Sequence, residues 1–377
     1  MSQNHEKVLI TTGITGGHFF PAVCFAEAYQ RAYPSSEIWF VLGRKQAPFD
    51  LRPYQKKFRF ELIPIDPFPK LFSLRMFPFL FNYLKSLFAT GYFLRRLKPV
   101  VLISFGSYSS FPSVFLAWLF RIPVVIHEQN RVFGLANQVS SLFSKQVATS
   151  FPETLGRVEA SKVKYTGYPI RQTLRFQKNS IDQNVPRRKI LILGGSQGSH
   201  VLNEMIFHFF SQLSTEEKQK IAVIHITGEK DFDYVSKQYD HFKIDHEVYA
   251  FAHEIAQHYA RAHLVIARAG AGTIFELAVS GLPGILVPYP FAFAHQFKNA
   301  SYVAEQGGAV LIPENQLKTI DIKELVYGLL FDDRRREVMK KVIQRFDVPN
   351  ATENLVEMVH GVIPSVDKIK NNNTQTK

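Results

Sequence analysis

The chain opens with a short apolar run, "KVLI" at 7–10, then the glycine cluster "TTGITGGH", then a proline where a helix could begin. The same succession returns at 189–200 as "KILILGGSQGSH". Each opening predicts a strand, a tight loop and a helix. After the first, "IWFVLG", "VVLISFG", "PVVIHE" and "QVATSF" alternate with stretches of helical length; after the second, "IAVIHITG", "HEVYAF", "HLVIARAG" and "GILVPYP" do the same. Such alternation predicts an α/β chain of two Rossmann-like domains, parallel sheets facing a cleft, with ligands at the carboxyl ends of the strands.

The pattern breaks in "YTGYPIRQTLRFQKNSIDQNVPRRK", where Gly, Pro and polar residues precede the second opening. The expected domains are 1–165 and 166–350. A helix at about 351–362, preceded by Pro349 and Asn350, is expected to pack back on the first domain within 351–364. Residues 365–377, "SVDKIKNNNTQTK", have little to bury and predict a disordered tail.

Composition narrows the function. At 377 residues and 46% hydrophobic, the chain can fill two cores. A formal charge of +13 and a pI near 9.6 call for an anionic partner: nucleic acid, a phosphate-rich small molecule or an anionic membrane surface. Cys24 is the only cysteine, which excludes an internal disulfide or a cysteine-based metal cluster and suits a reducing compartment. The start "MSQNHEK" is polar and the richest apolar stretches are cut by Lys, Arg and Pro, so neither a signal peptide nor a transmembrane helix is expected.

No acidic residue falls between Asp66 and Glu128, yet Lys70, Arg75, Lys85, Arg95, Arg96, Lys98 and Arg121 do, among the Phe and Leu of "PFPKLFSLRMFPFLFNYLKSLFATGYFLRRLKP". These bases are either the wet face of an amphipathic helix or part of a surface that inserts shallowly into anionic lipid. One-signed charge beside aromatics favours lipid. Nucleic acid is disfavoured for want of a reading module.

A glycine loop entering a helix exposes backbone N–H groups to phosphate, although the same glycines also serve a tight turn. A dinucleotide site would place an acid about 20 residues on. Arg44 and Lys45 stand there instead, which disfavours NAD and leaves an NADP-dependent reductase as an alternative. The second half offers "VIARAGAGTIFELAVSGLPGILVPYP": Ala269 to Gly272 are small enough to admit a phosphate, Thr273 can donate, and Glu276 can accept from ribose hydroxyls or simply be an acid near a helix start.

With "GITGGHFFPA", "IPVVIHEQNRVFGLANQ", "YTGYPIR", "GGSQGSHVLN" and "HQFKNA" in the same order around that stretch, the chain resembles the MurG family, two-domain glycosyltransferases of the GT-B type. The resemblance implies inverting, metal-independent transfer of N-acetylglucosamine (GlcNAc) from UDP-GlcNAc to the four-position hydroxyl of the N-acetylmuramoyl unit of lipid I, giving lipid II. It implies no cofactor, a peripheral location on the cytoplasmic face of the inner membrane, and cell-wall synthesis proteins as partners. For the donor it implies Arg171 near the nucleotide, Ser196 on the diphosphate, Phe251 over the uracil with the Ala252 backbone on its edge, Ala271, Gly272 and Thr273 at phosphate, Glu276 on the ribose, and Gln296 and Asn299 on the GlcNAc hydroxyls. Thr15, Gly16, Gly17 and Asn130 join this donor set. Gly13, Tyr108 and His127 stand on the acceptor side, where the 13–17 loop and "FGSYSSFP" would receive the diphosphate of the lipid-linked sugar. His18 is either the general base or a phosphate contact. Glu128 is either catalytic or, with His127, half of a structural pair.

The sequence departs from the family in places. Ile14, Ser107 and Phe111 stand where glycines are usual, and a β-branched residue does not readily take positive φ. Phe293 replaces a frequent acid and Tyr168 a customary asparagine. These changes keep open a different lipid acceptor, of diacylglycerol type, and a non-catalytic UDP-sugar or lipid-binding scaffold. "DFD" at Asp231–Asp233 resembles the metal motif of the other glycosyltransferase architecture, but two acids alone predict a solvated loop.

Overall fold

The computed structural model describes residues 6–43, 50–65, 76–176, 187–195, 197–252, 254–291 and 295–364, with 76 and 77 as backbone alone. Arg44, Lys45, Lys70, Arg75, Ser196, Phe293 and the 365–377 tail lie outside the described residues. The chain divides into two compact units, one running to Pro169 and resuming at Val348, the other spanning Ile170–Asp347.

In the first unit, β1 (Lys7–Thr11) leads into α1 (Gly16–Ala32), β2 (Glu37–Gly43), α2 (Arg52–Gln55), β3 (Arg59–Ile63), α3 (Met76–Leu97), β4 (Val101–Ser104), α4 (Phe111–Leu119), β5 (Val124–Glu128), α5 (Leu135–Ser141), β6 (Gln146–Thr149) and β7 (Val163–Tyr165). The strands form one parallel sheet in the order β3-β2-β1-β4-β5-β6-β7. Alternate side chains serve opposite cores: Val8, Ile10, Val101 and Ile103 pack with Phe19, Phe25 and Tyr29 of α1, whereas Leu9 and Leu102 pack with Leu94 and Val114. Burial on both faces is why the central strands read as unbroken apolar runs.

The second unit runs through α6 (Gln172–Phe176), β8 (Arg188–Leu193), α7 (His200–Ser211), α8 (Thr215–Gln219), β9 (Ile221–Ile226), α9 (Phe232–Phe242), β10 (Asp245–Tyr249), α10 (Ile255–Arg261), β11 (Leu264–Ala267), α11 (Ala271–Ser280), β12 (Gly284–Leu286), α12 (His295–Ala304), β13 (Ala309–Leu311), α13 (Ile322–Phe331) and α14 (Asp333–Ile343). Its parallel sheet has the order β10-β9-β8-β11-β12-β13. The last helix, α15 (Ala351–Gly361), returns to the first unit. Leu355 and Val359 enter the α1 core, and the His360 ring stacks on Tyr33 at 3.9 Å.

Both sheets have the doubly wound order expected from the sequence. In each, the winding reverses between two central neighbours, β1 and β4 or β8 and β11. Loops leaving their carboxyl ends must diverge there, opening a crevice for ligand. Thr11 lies opposite Ser104, and Leu193 opposite Ala267, so the sequence stretches "GITGGH", "FGSYSS" and "RAGAGT", with Gly194 and Gly195, all emerge at these two points.

Candidate active site

At the first reversal, α1 starts uncapped: Thr15 makes no side-chain cap and the first turn holds no acid. The N–H groups of Gly16 and Gly17 therefore stand at a positive helix end suited to an anion, while that of His18 already donates to the Thr15 carbonyl at 3.1 Å. Gly17 is exposed, and a Cβ there would meet nothing within 4 Å. Gly13 is tighter: a Cβ would lie 3.0 Å from Ser107 Cβ and 3.3 Å from His18 Cδ2, so its bareness lets the two loops close on each other.

His18 is fixed by the backbone after β4. Its Nδ1 lies 2.8 Å from the Phe105 carbonyl, which can only accept, so Nδ1 carries the proton in the neutral ring. Nε2 is left with its lone pair, unpartnered and open to solvent. Gln129 Nε2 donates to the same carbonyl at 3.0 Å. This tautomer is the one a general base needs.

Two other expected site residues are committed elsewhere. His127 is fully buried: Nε2 lies 3.3 Å from both the Gly167 carbonyl and Ser150 Oγ, and Nδ1 accepts from Gln129 at 3.2 Å. Burial lowers its pKa to about 4, His18 pushing the same way against the Gly167 bond. It is a neutral core histidine with no surface for an acceptor. Glu128 is 1% exposed, and both oxygens are occupied. Oε1 accepts from Asn130 N and Nδ2 (2.9 and 3.1 Å), and Oε2 from Gly134 N and Asn137 Nδ2 (3.0 and 2.7 Å). The carboxylate organises the 128–137 turn, an arrangement that favours the structural of the two roles expected for it. Asn130 is half-buried within this network. Tyr108 is 44% exposed and follows Ser107, whose Cβ lies 3.0 Å from where a Cβ on Gly13 would stand.

The three missing glycines are not equivalent. Ile14 keeps negative φ, and Phe111 is αR at the start of α4. Ser107 alone takes φ 86°, ψ 146°, a region nearly reserved for glycine and worth roughly 1–3 kcal/mol of strain. Tyr168 is buried, its ring 6.4 Å from that of His127.

At the second reversal the two helices differ. α7 is capped by Ser199 Oγ, and a Cβ on Gly198 (φ +76°) would sit 1.9 Å from the Thr227 carbonyl oxygen, so that loop needs its glycine for the chain crossing. α11 has no side-chain cap at Gly270 and no acid in its first turn. Its open N–H groups are those of Ala271, Gly272 and Thr273.

One turn further, Glu276 Oε2 accepts from the Tyr259 hydroxyl at 2.9 Å, while Oε1 has no protein partner and is open to solvent. Burial raises the Glu276 pKa, with Arg171 and Tyr259 opposing. Phe251 and Ala252 are half-buried beyond the carboxyl end of β10, on the same edge of the sheet. Gln296 opens α12, its Oε1 accepting from Tyr289 N at 2.9 Å.

Asn299 is 0% exposed and donates to the Ala269 carbonyl at 3.5 Å, within the turn before α11. The "DFD" stretch is solvated, as expected, but it is a helical turn opening α9 rather than a loop. Asp231 accepts from Asn203 Nδ2 at 2.7 Å, and Asp233 lies in the first turn of α9. No group of three metal-ligating acids, histidines or cysteines occurs among the described residues. Sequence reasoning missed Tyr259, the Phe105 carbonyl and Gln129, none of which carries a local signal.

Away from the reversals, α3 exposes Phe81, Leu84, Phe88 (79%) and Tyr92 along one stripe, with Lys85 Nζ 4.3 Å from the Phe81 ring centroid. Trp118 and Leu119 at the end of α4 are also exposed. No described helix is long and apolar enough to cross a membrane.

Residues 8–149 match the glycosyltransferase family 28 N-terminal domain, and 189–355 the glycosyltransferase family 28 C-terminal domain. The chain is 33% identical over 353 residues to the UDP-N-acetylglucosamine--N-acetylmuramyl-(pentapeptide) pyrophosphoryl-undecaprenol N-acetylglucosamine transferase of Anaeromyxobacter sp. strain Fw109-5, covering 93% of this chain and 92% of the relative. The protein so named in Ectopseudomonas mendocina strain ymp is 34% identical over 360 residues, 95% of this chain and 99% of its own. A crystal structure of Acinetobacter baumannii MurG superposes with a TM-score of 0.73 at 26% identity, covering 94% of this chain and all of that one. A Staphylococcus aureus MnaA–UDP structure shares the fold at 14% identity and TM-score 0.65, covering 94% and 96%.

Proposed function

The chain belongs to glycosyltransferase family 28, and from that premise we infer that it transfers GlcNAc from UDP-GlcNAc to lipid I, forming lipid II. The observation that carries the reading is identity of about a third with transferases of that name over almost the whole chain.

In the proposed mechanism the second unit holds the donor. The open N–H groups of Ala271, Gly272 and Thr273 take the diphosphate, Glu276 Oε1 accepts from the ribose, and Arg171, Phe251, Ala252 and Gln296 complete the contacts. As the bond from the sugar to the β-phosphate oxygen breaks, negative charge grows on UDP, where the helix end and its amides stabilise it without reorganising. The first unit holds the acceptor: the uncapped start of α1 at Thr15, Gly16 and Gly17, set by the resemblance among the donor contacts, is assigned here instead to the lipid-linked diphosphate, with Gly13 and Tyr108. His18 Nε2 takes the proton of the attacking four-position hydroxyl while Phe105 and Gln129 hold the ring. Attack opposite the departing UDP inverts the anomeric centre.

The apolar stripe of α3, with Lys85 on it and Arg95 and Arg96 at its end, supports docking on an anionic membrane surface, where the lipid-anchored acceptor lies. The test is UDP release with lipid I and with a diacylglycerol in parallel. Release with lipid I alone supports the reading, release with diacylglycerol alone replaces the acceptor, and donor binding without turnover favours a scaffold.

A further inference from the structure

We propose that Tyr259 is a positioning residue for the donor site, holding one oxygen of Glu276 so that the other is presented to the ribose. The inference rests on the assignment of Glu276 to the nucleotide above. Tyr259 lies in the middle of α10, 1% exposed, and its hydroxyl donates to Glu276 Oε2 at 2.9 Å. The oxygen it holds is thereby used up, while Oε1 accepts nothing from the protein and reaches solvent.

A glutamate on a helix has three rotatable bonds, and an unrestrained carboxylate would spread over several rotamers. It would also be free to fold back on the open N–H groups at Ala271 to Thr273, three to five residues before it, where the helix end attracts negative charge. Such an internal anion would compete with the diphosphate for the same donors. A phenol fixed in the core prevents this at little entropic cost, because the Tyr259 ring is already immobile. The bond also has a direction: a hydroxyl between a carboxylate and the core can only donate, so it favours the ionised form of Glu276, as Arg171 does by its charge. Removing the hydroxyl therefore weakens both the aim of the carboxylate and its tendency to stay charged, without touching the residues that would hold phosphate, uracil or acceptor.

The experiment compares wild type, Tyr259→Phe and Glu276→Ala with two donors, UDP-GlcNAc and its analogue lacking the ribose hydroxyls, using lipid I as acceptor. Tyr259→Phe keeps the ring and its packing, and a melting curve checks the fold. The expected result is a KM for UDP-GlcNAc raised about tenfold with kcat changed less than about twofold, the loss of one hydrogen bond to a charged group. The deoxy donor should cost wild type about tenfold or more in kcat/KM but cost Tyr259→Phe only a small part of that, since the hydroxyls it lacks are no longer well held. A full deoxy penalty in Tyr259→Phe, or a fall in kcat matching the rise in KM, overturns the positioning role. A full deoxy penalty in Glu276→Ala instead overturns the assignment of Glu276 to the ribose, so the two failures are told apart.

Discussion

Glu128→Gln separates chemistry from architecture in the first unit. The two side chains are nearly isosteric, but the carboxylate meets four donors: two from Asn130, and one each from Gly134 and Asn137. Whichever oxygen becomes an NH2 group faces two N–H donors, so two charge-assisted bonds are lost and two buried donors are left opposed. At about 1.5–3 kcal/mol for each bond to a charged group, the loss is about 3–6 kcal/mol. For a unit of roughly 200 residues, a kcal/mol moves the midpoint by about 2–4 °C, which puts melting of the first unit about 6–24 °C lower. Circular dichroism melting gives the shift, and GlcNAc transfer measured well below the new midpoint gives the activity. The expected outcome is a large loss of stability with kcat in the cold within about tenfold of wild type, since turn geometry rather than proton transfer has been disturbed. A melting point within about 2 °C of wild type, together with a loss of kcat beyond about 100-fold, would refute this and return Glu128 to the catalytic apparatus.

His18→Ala should lower kcat about 10²–10³-fold while leaving the KM for UDP-GlcNAc within about twofold, and unchanged turnover would remove it as the base. Ser107→Gly exchanges roughly 1–3 kcal/mol of backbone strain for about 0.5–1 kcal/mol of added chain entropy, so the melting point should rise by about 2–4 °C; a fall would show that the Ser109 contacts outweigh the strain. Burial raises the Glu276 pKa, and only the ionised form accepts from ribose without competition from its own proton. The KM for UDP-GlcNAc should therefore rise as pH falls through that raised value and level off above it, a dependence that Glu276→Gln should abolish. Phe88→Glu should reduce partition onto phosphatidylglycerol-containing vesicles about tenfold or more, and an unchanged partition would move the lipid contact off α3.

The central strands were legible in sequence because burial on both faces makes them continuous apolar runs, as "KVLI" and "KILIL" are. The edge strands β3, β7 and β13 were not. β3 mixes exposed with buried positions, and β7 and β13 are three residues long and only partly buried, unlike the equally short β12, which is buried throughout. Glu276 was readable because a glycine-rich turn and a helix start fix its place by local rules. What surrounds it was not, since Tyr259 comes 17 positions earlier on another helix. His18 was visible as a residue, but its tautomer depends on a backbone carbonyl after β4, 87 positions away. The two roles open for His127 and Glu128 could not be told apart in sequence for the same reason: nothing local reveals that Gly167, Ser150, Gly134 and Asn137 use their polar atoms. Among the three absent glycines, the sequence could mark the positions, but only the backbone distinguishes Ser107, which is strained, from Ile14 and Phe111, which are not.

The most direct test of the account is a crystal structure of the chain with UDP-GlcNAc bound. The account predicts a ribose hydroxyl about 2.6–3.2 Å from Glu276 Oε1, with the diphosphate on the amides of Ala271, Gly272 and Thr273. A nucleotide seated at Gly16 and Gly17, with Glu276 still bound to Tyr259 and its other oxygen in water, would contradict it.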